Sequence, residues 1–192
     1  IEHAGGTLAA IDFSSSSRLA CIIDPADNAQ LASVAPGQLV SLFGTDLAPA
    51  APFVPSGGVV NSSDSFGVFF NDIAAPILFS SAQQINVQVP YETGTGLAVL
   101  GVNNNGQVAG FSFNVAPAAP GLFTAPDGSL TPSGTARQGQ TAVAYITGDG
   151  DTTTFLVTGA SPPTGTATSR LPRPRLPVTV TEVTVDLKCP PL

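Results

Sequence analysis

Tryptophan and methionine are absent from this 192-residue chain, histidine occurs once, and charged residues make up only 10%. An ordinary soluble domain carries about 25%. Each shortage excludes something. Six Lys and Arg stand against 13 Asp and Glu, for a net charge of −7. Such a chain offers little to a phosphate backbone or an anionic membrane surface, so nucleic acid is not an expected partner. One histidine (His3) and two cysteines (Cys21 and Cys189) are too few for a zinc site. No apolar run reaches about 18 residues, so no membrane span is expected.

The chain is rich in turn formers, with 20 Gly and 18 Pro, while 43% of its residues are hydrophobic. That combination disfavours helices and favours many short strands joined by Gly/Pro turns. The sequence opens at Ile1 without a methionine, as expected of a chain that has lost a leader or of a fragment. The cysteines lie near opposite ends. Three readings stay open: a disulfide in an exported protein, two separate buried thiols, or a reactive thiol. The only local cations that would lower a thiol pKa are Arg18 and Lys188.

Four regions follow along the chain. Residues 1–34 form an N-terminal extension. Within its segment 5–13, Thr7, Ala9, Ile11 and Phe13 alternate with Leu8, Ala10 and Asp12, as in a strand. Residues 35–116 contain a turn at Pro36-Gly37, a strand over Leu39–Phe43 broken at Gly44, and a hairpin signal at Asn71-Asp72. "SSAQQINVQVP" then places Ile85, Val87 and Val89 on one face and Asn86 and Gln88 on a wet one. Leu97–Val102, a turn at "NNNG" and Val108–Val115 complete the set. Residues 117–125 are a proline-rich connector. Residues 126–192 start a second module, in which "GQTAVAYITGDGD" echoes "GQLVSLFGTDL" of the first. The expected fold is all-β: Ig-like antiparallel β-sandwich modules, two in tandem, the second incomplete.

The strings "VAPGQLVSLFGTDLAP", "VFFNDIAAPILFSSAQQINVQVPYE", "NVAPAAPGLF" and "LPVTVTEVTV" resemble the Solibacter-type C-terminal domain of acidobacterial secreted proteins, whose first half is similar to IPT/TIG Ig-like modules. The resemblance covers roughly residues 21–182. It implies a β-sandwich, an exported location and a structural or surface role, and brings no catalytic residues. The chain departs from that pattern after Glu182.

Catalytic chemistry is thinly represented. No Gly-x-Ser-x-Gly elbow is present, and Glu2, Glu92 and Glu182 are scattered. Asp149 and Asp151 flank a glycine in a weak calcium candidate lacking further ligands. "NSS" at 61–63 and the Ser/Thr/Pro stretch 152–170 match glycan acceptors, and solvated surface is the plainer reading of both. Arg170, Arg173 and Arg175 hold half of the basic residues, in a segment suited to contact an acidic neighbouring subunit.

The second module lacks counterparts of the strands that follow the Asn71-Asp72 hairpin in the first. Its completion is expected from the N-terminal segment, from the first module, or from a neighbouring chain donating residues 5–13. The expectation is a non-enzymatic, extracellular or cell-surface protein without cofactors that assembles with copies of itself. A glycan-binding appendage or adhesin is the alternative.

Overall fold

The computed structural model describes residues 16–56, 62, 65–132, 143–152 and 156–161. Among these residues the structure is nearly all β, with a single 3-10 turn at Tyr91–Thr93 and no α-helix. The chain order is β1 (Arg18–Ile23), β2 (Ser33–Val34), β3 (Leu39–Thr45), β4 (Phe66–Phe70), β5 (Ile73–Ala74), β6 (Ile77–Ser80), β7 (Gln84–Gln88), β8 (Gly96–Asn104), β9 (Gln107–Val115), β10 (Gly121–Leu122) and β11 (Ile146–Thr147). One sheet has the order β1-β3-β7-β6, a second β2-β9-β8-β4-β5, and a small third pairs β10 with β11. All pairings are antiparallel except β2 with β9.

Turn chemistry sets the hairpins. Asn71 and Asp72 take φ of 49° and 64°, and Asn105 and Gly106 take 52° and 85°. Two consecutive left-handed residues match the right-handed strand twist, so both two-residue loops close tight hairpins. At Pro36-Gly37, Gly37 has φ 75° and the Gln38 amide donates to Ala35 O at 3.1 Å. Proline presets the first central dihedral there, and glycine tolerates the second.

The expected break at Gly44 does not occur: β3 runs through it to Thr45. The glycine serves a close approach instead. A Cβ at Gly44 would collide with the Arg18 carbonyl oxygen and the Leu47 side chain. The neighbouring strand lies against the missing side chain, with a bulge between Leu19 and Cys21.

The two larger sheets share one hydrophobic core. Val40, Leu42, Ile77, Ile85 and Val87 come from one, and Val68, Phe70, Leu100, Val102 and Phe113 from the other. The Phe70 and Phe113 rings meet edge to face at 5.6 Å. Ile85, Val87 and Val89 are buried, as the alternation requires. Asn86 and Gln88 are half-buried rather than wet. Gln88 accepts the Gly159 amide at 2.8 Å, so a later segment covers that face.

The proline-rich connector supplies β10, which pairs with β11. Beyond it, Phe123 N donates to Tyr145 O, Tyr145 N to Thr131 O, and Thr131 N to Phe123 O, each at 3.0 Å. Among the described residues, no hydrophobic side chain after Val115 belongs to the core. The later segment is held mainly by polar bonds.

Candidate interaction surface

Two features of the described residues carry chemistry. One is a buried polar junction; the other is the uncharged β8–β9 hairpin and its edge.

The junction centres on Gln38, which is 0% exposed. Its Oε1 accepts the Ala35 amide at 2.8 Å. Its Nε2 donates to Asp24 Oδ2 and to Ala119 O, both at 3.0 Å. Asp24 Oδ1 accepts the Ala26 amide at 2.8 Å. The Leu39 amide donates to Thr147 Oγ1 at 2.9 Å, and the Ala119 amide to Gly148 O at 2.8 Å. A Cβ at Gly121 would strike the Asp24 carboxylate, and one at Gly148 the Ala119 carbonyl. Burial pushes the Asp24 pKa up, with Asp27 adding repulsion, while bonds from the Ala26 amide and Gln38 pull it down. The junction joins four separated stretches of chain. It is a structural lock.

A second clamp lies just past the C-terminal end of β7, beside Gly37. The Thr158 hydroxyl donates to Glu92 Oε2 at 2.6 Å and accepts the Tyr91 amide at 3.0 Å. The Tyr91 ring covers Gly37, where a Cβ would collide with it. Burial, with a lesser contribution from the Asp151 charge, raises the Tyr91 pKa.

The exposed surface of the β8–β9 hairpin is of another kind. No charged residue occurs between Glu92 and Asp127. Leu97, Val99 and Val108 are 79%, 56% and 61% exposed on its outer face. Gly101 lies opposite Gly110 in the ladder, and nothing stands above Gly101. The result is a shallow depression of about 610 Å³, lined in part by Phe69, Asn71, Val99, Asn103 and Val108, with Asp72 at its side. A separate apolar pocket of about 330 Å³ lies between Phe53, Phe66 and Ile77.

The sequence-derived site residues distribute unevenly. Cys21 is buried on β1; Cys189 lies outside the described residues. Thr7, Ala9, Ile11, Phe13, Arg170, Arg173 and Arg175 lie outside them too, as do His3, Glu2 and Glu182. Asp149 and Asp151 are half-buried. Among the described residues, no three His, Cys, Asp or Glu side chains gather as a metal site would require. Sequence reasoning passed over Gln38 and Thr158. The repeated Gly-Gln was the available signal for Gln38, and nothing local marks Thr158.

No protein-family model matches the chain, and no curated protein does. Among solved structures, it is similar to a "Putative bacterial DNA binding protein" from Bacteroides vulgatus, with TM-score 0.35 and 17% identity over 53% of this chain and 48% of that one. It is also similar to a "Putative phosphatase" from Bacteroides thetaiotaomicron, with TM-score 0.31 and 12% identity over 54% of this chain and 18% of that one. The chain thus spans about half of the first and under a fifth of the second.

Proposed function

We propose that the protein is a non-enzymatic, extracellular structural subunit that assembles with copies of itself into a filament or surface layer. The observation that carries this reading is the uncharged β8–β9 hairpin, with Leu97, Val99 and Val108 open to solvent. Large apolar side chains open to solvent on a hairpin without charges favour burial against another protein over a dispersed life in water. The fold reading is an Ig-like sandwich. Its support is the strand order β1-β3-β7-β6 against β2-β9-β8-β4-β5, which parallels the ABED and GFC sheets of such domains, with β2 a short parallel addition beside β9. The resemblance to the Solibacter-type C-terminal domain, the tandem second module and a Cys21–Cys189 bridge belong to the same proposal. Size-exclusion chromatography combined with electron microscopy of the native material tests it. Ordered polymers are expected, and a stable dispersed monomer would sink the reading.

A second reading, an adhesin or glycan-binding appendage, draws on the depression beside Phe69, where the Asn71 and Asn103 amides flank apolar Val99 and Val108. Glycan-array binding by a monomer would favour it over assembly.

A further inference from the structure

The geometry points to the open edge of β9 as an acceptor seat, filled by the Thr7–Phe13 segment of a second copy of this chain. This rests on the assembly reading and names the contact within it. Along β9, β2 pairs only at Asn114 and Val115. Among the described residues, no strand pairs with the stretch from Gln107 to Phe113 on that side. The two-residue turn makes Asn104 and Gln107 a hydrogen-bonded pair. Counting from it, the amides and carbonyls of Val108, Gly110 and Ser112 point away from β8, towards the empty edge. The stretch carries no charge, no proline and no bulge, and β1 of the other sheet approaches β9 without pairing with it.

Phe111 supplies the second observation. It lies opposite Leu100, so it faces the core side of the sheet, where Leu100 is 0% exposed. Yet Phe111 remains 37% exposed. An inward aromatic beside an unpaired edge is what a missing strand leaves behind. Strand addition would supply main-chain bonds along the edge and alternate side chains to cover that ring.

The occupant follows from length, pattern and origin. The open stretch 107–113 and the segment 7–13 have seven residues each, and the latter alternates Thr7, Ala9, Ile11 and Phe13 against Leu8, Ala10 and Asp12. The Ser16 amide donates to Gln107 Oε1 at 3.2 Å, which fixes Ser16 at the hairpin end of β9. Ser17 is also fixed, its hydroxyl donating to Asp46 O at 2.7 Å. Pairing with β9 of the same molecule would leave Ser14 and Ser15 to join strands of two different sheets, whereas a two-residue loop joins neighbouring strands of one sheet. Seating the segment on a neighbour needs no such loop. A donor leaving one molecule and an acceptor on the next form a head-to-tail contact, which propagates as an open filament.

The test uses the full chain, Ser112→Pro and Ile11→Pro, followed by light scattering after size exclusion, with circular dichroism to establish folding. Proline at 112 removes an edge-facing donor, and edge strands tolerate it. The native chain is expected to polymerise, and each variant to run as a folded monomer. An equimolar mixture of the two variants should give a one-to-one dimer and nothing larger, because one retains a donor and the other a seat. Polymerisation of Ser112→Pro like the native chain would overturn the seat while leaving the assembly reading standing. A native chain that stays monomeric with its β9 amides protected from hydrogen exchange would overturn both. Should Ser112→Pro lose its native spectrum, Val108→Pro takes its place with the same opposed outcomes.

Discussion

Gln38 shows how one side chain can hold several stretches of chain together. Its amide bonds the backbone at Ala35 and Ala119 and the carboxylate of Asp24. Replacement by leucine keeps the bulk and leaves three buried polar groups without that partner. Each such group costs about 1–3 kcal/mol. Gln38→Leu is therefore expected to destabilise by about 3 kcal/mol or more, read as the denaturant midpoint shift. Asp24 adds a pH dependence. Its folded pKa is raised from 3.8, chiefly by burial, so the native state holds the proton more tightly than the unfolded chain does. The contribution is fully present below the unfolded pKa and is lost as pH rises through the folded one. Denaturant midpoints of the native chain and Asp24→Asn, compared from about pH 3.5 upward, should show a falling component in the native chain only. A difference independent of pH would refute the assignment.

At the scale of elements, local chemistry was legible where it acts through the backbone. Asn71-Asp72 and "NNNG" marked their hairpins because left-handed residues are few and recognisable. The alternation of Ile85, Val87 and Val89 gave the buried face of β7. Gly44 misled because a turn glycine and a close-approach glycine look alike until the neighbour is known. The neighbour here is Arg18, 26 positions earlier. Gly44→Ala should therefore push β1 off β3, at a cost of about 1–3 kcal/mol, with β1 amides exchanging faster while β7 and β8 stay protected. Equal exchange in both would mean that the bulge at Leu19 absorbs the methyl. Gln88 misled for a related reason. Its partners, Gly159 and Gly37, are 71 and 51 positions away, and no pattern within a strand reports them.

At the scale of the whole molecule, the chain after Pro117 is tied to the earlier part by Gln38 Nε2 on Ala119 O, the Leu39 amide on Thr147 Oγ1, the Thr124 amide on Ala26 O, the Gly159 amide on Gln88 Oε1, and the Thr158 hydroxyl on Glu92. A module with its own apolar core would unfold by itself; a segment held by bonds to another part must follow that part. A single transition is therefore expected, with the amides of Tyr145 and Thr131 losing protection at the same denaturant concentration as those of Leu42 and Val87. Two separated transitions would mark an independent second unit. The proposed Cys21–Cys189 bridge would reinforce the coupling. It would close a loop of almost the whole chain, and loop entropy assigns such a closure about 4–5 kcal/mol. Reduction should accordingly lower the midpoint of that one transition without splitting it. Intact mass under non-reducing conditions should be two hydrogen atoms lighter than after reduction. An unchanged mass and midpoint would remove the bridge and leave the polar locks as the connection between the two parts.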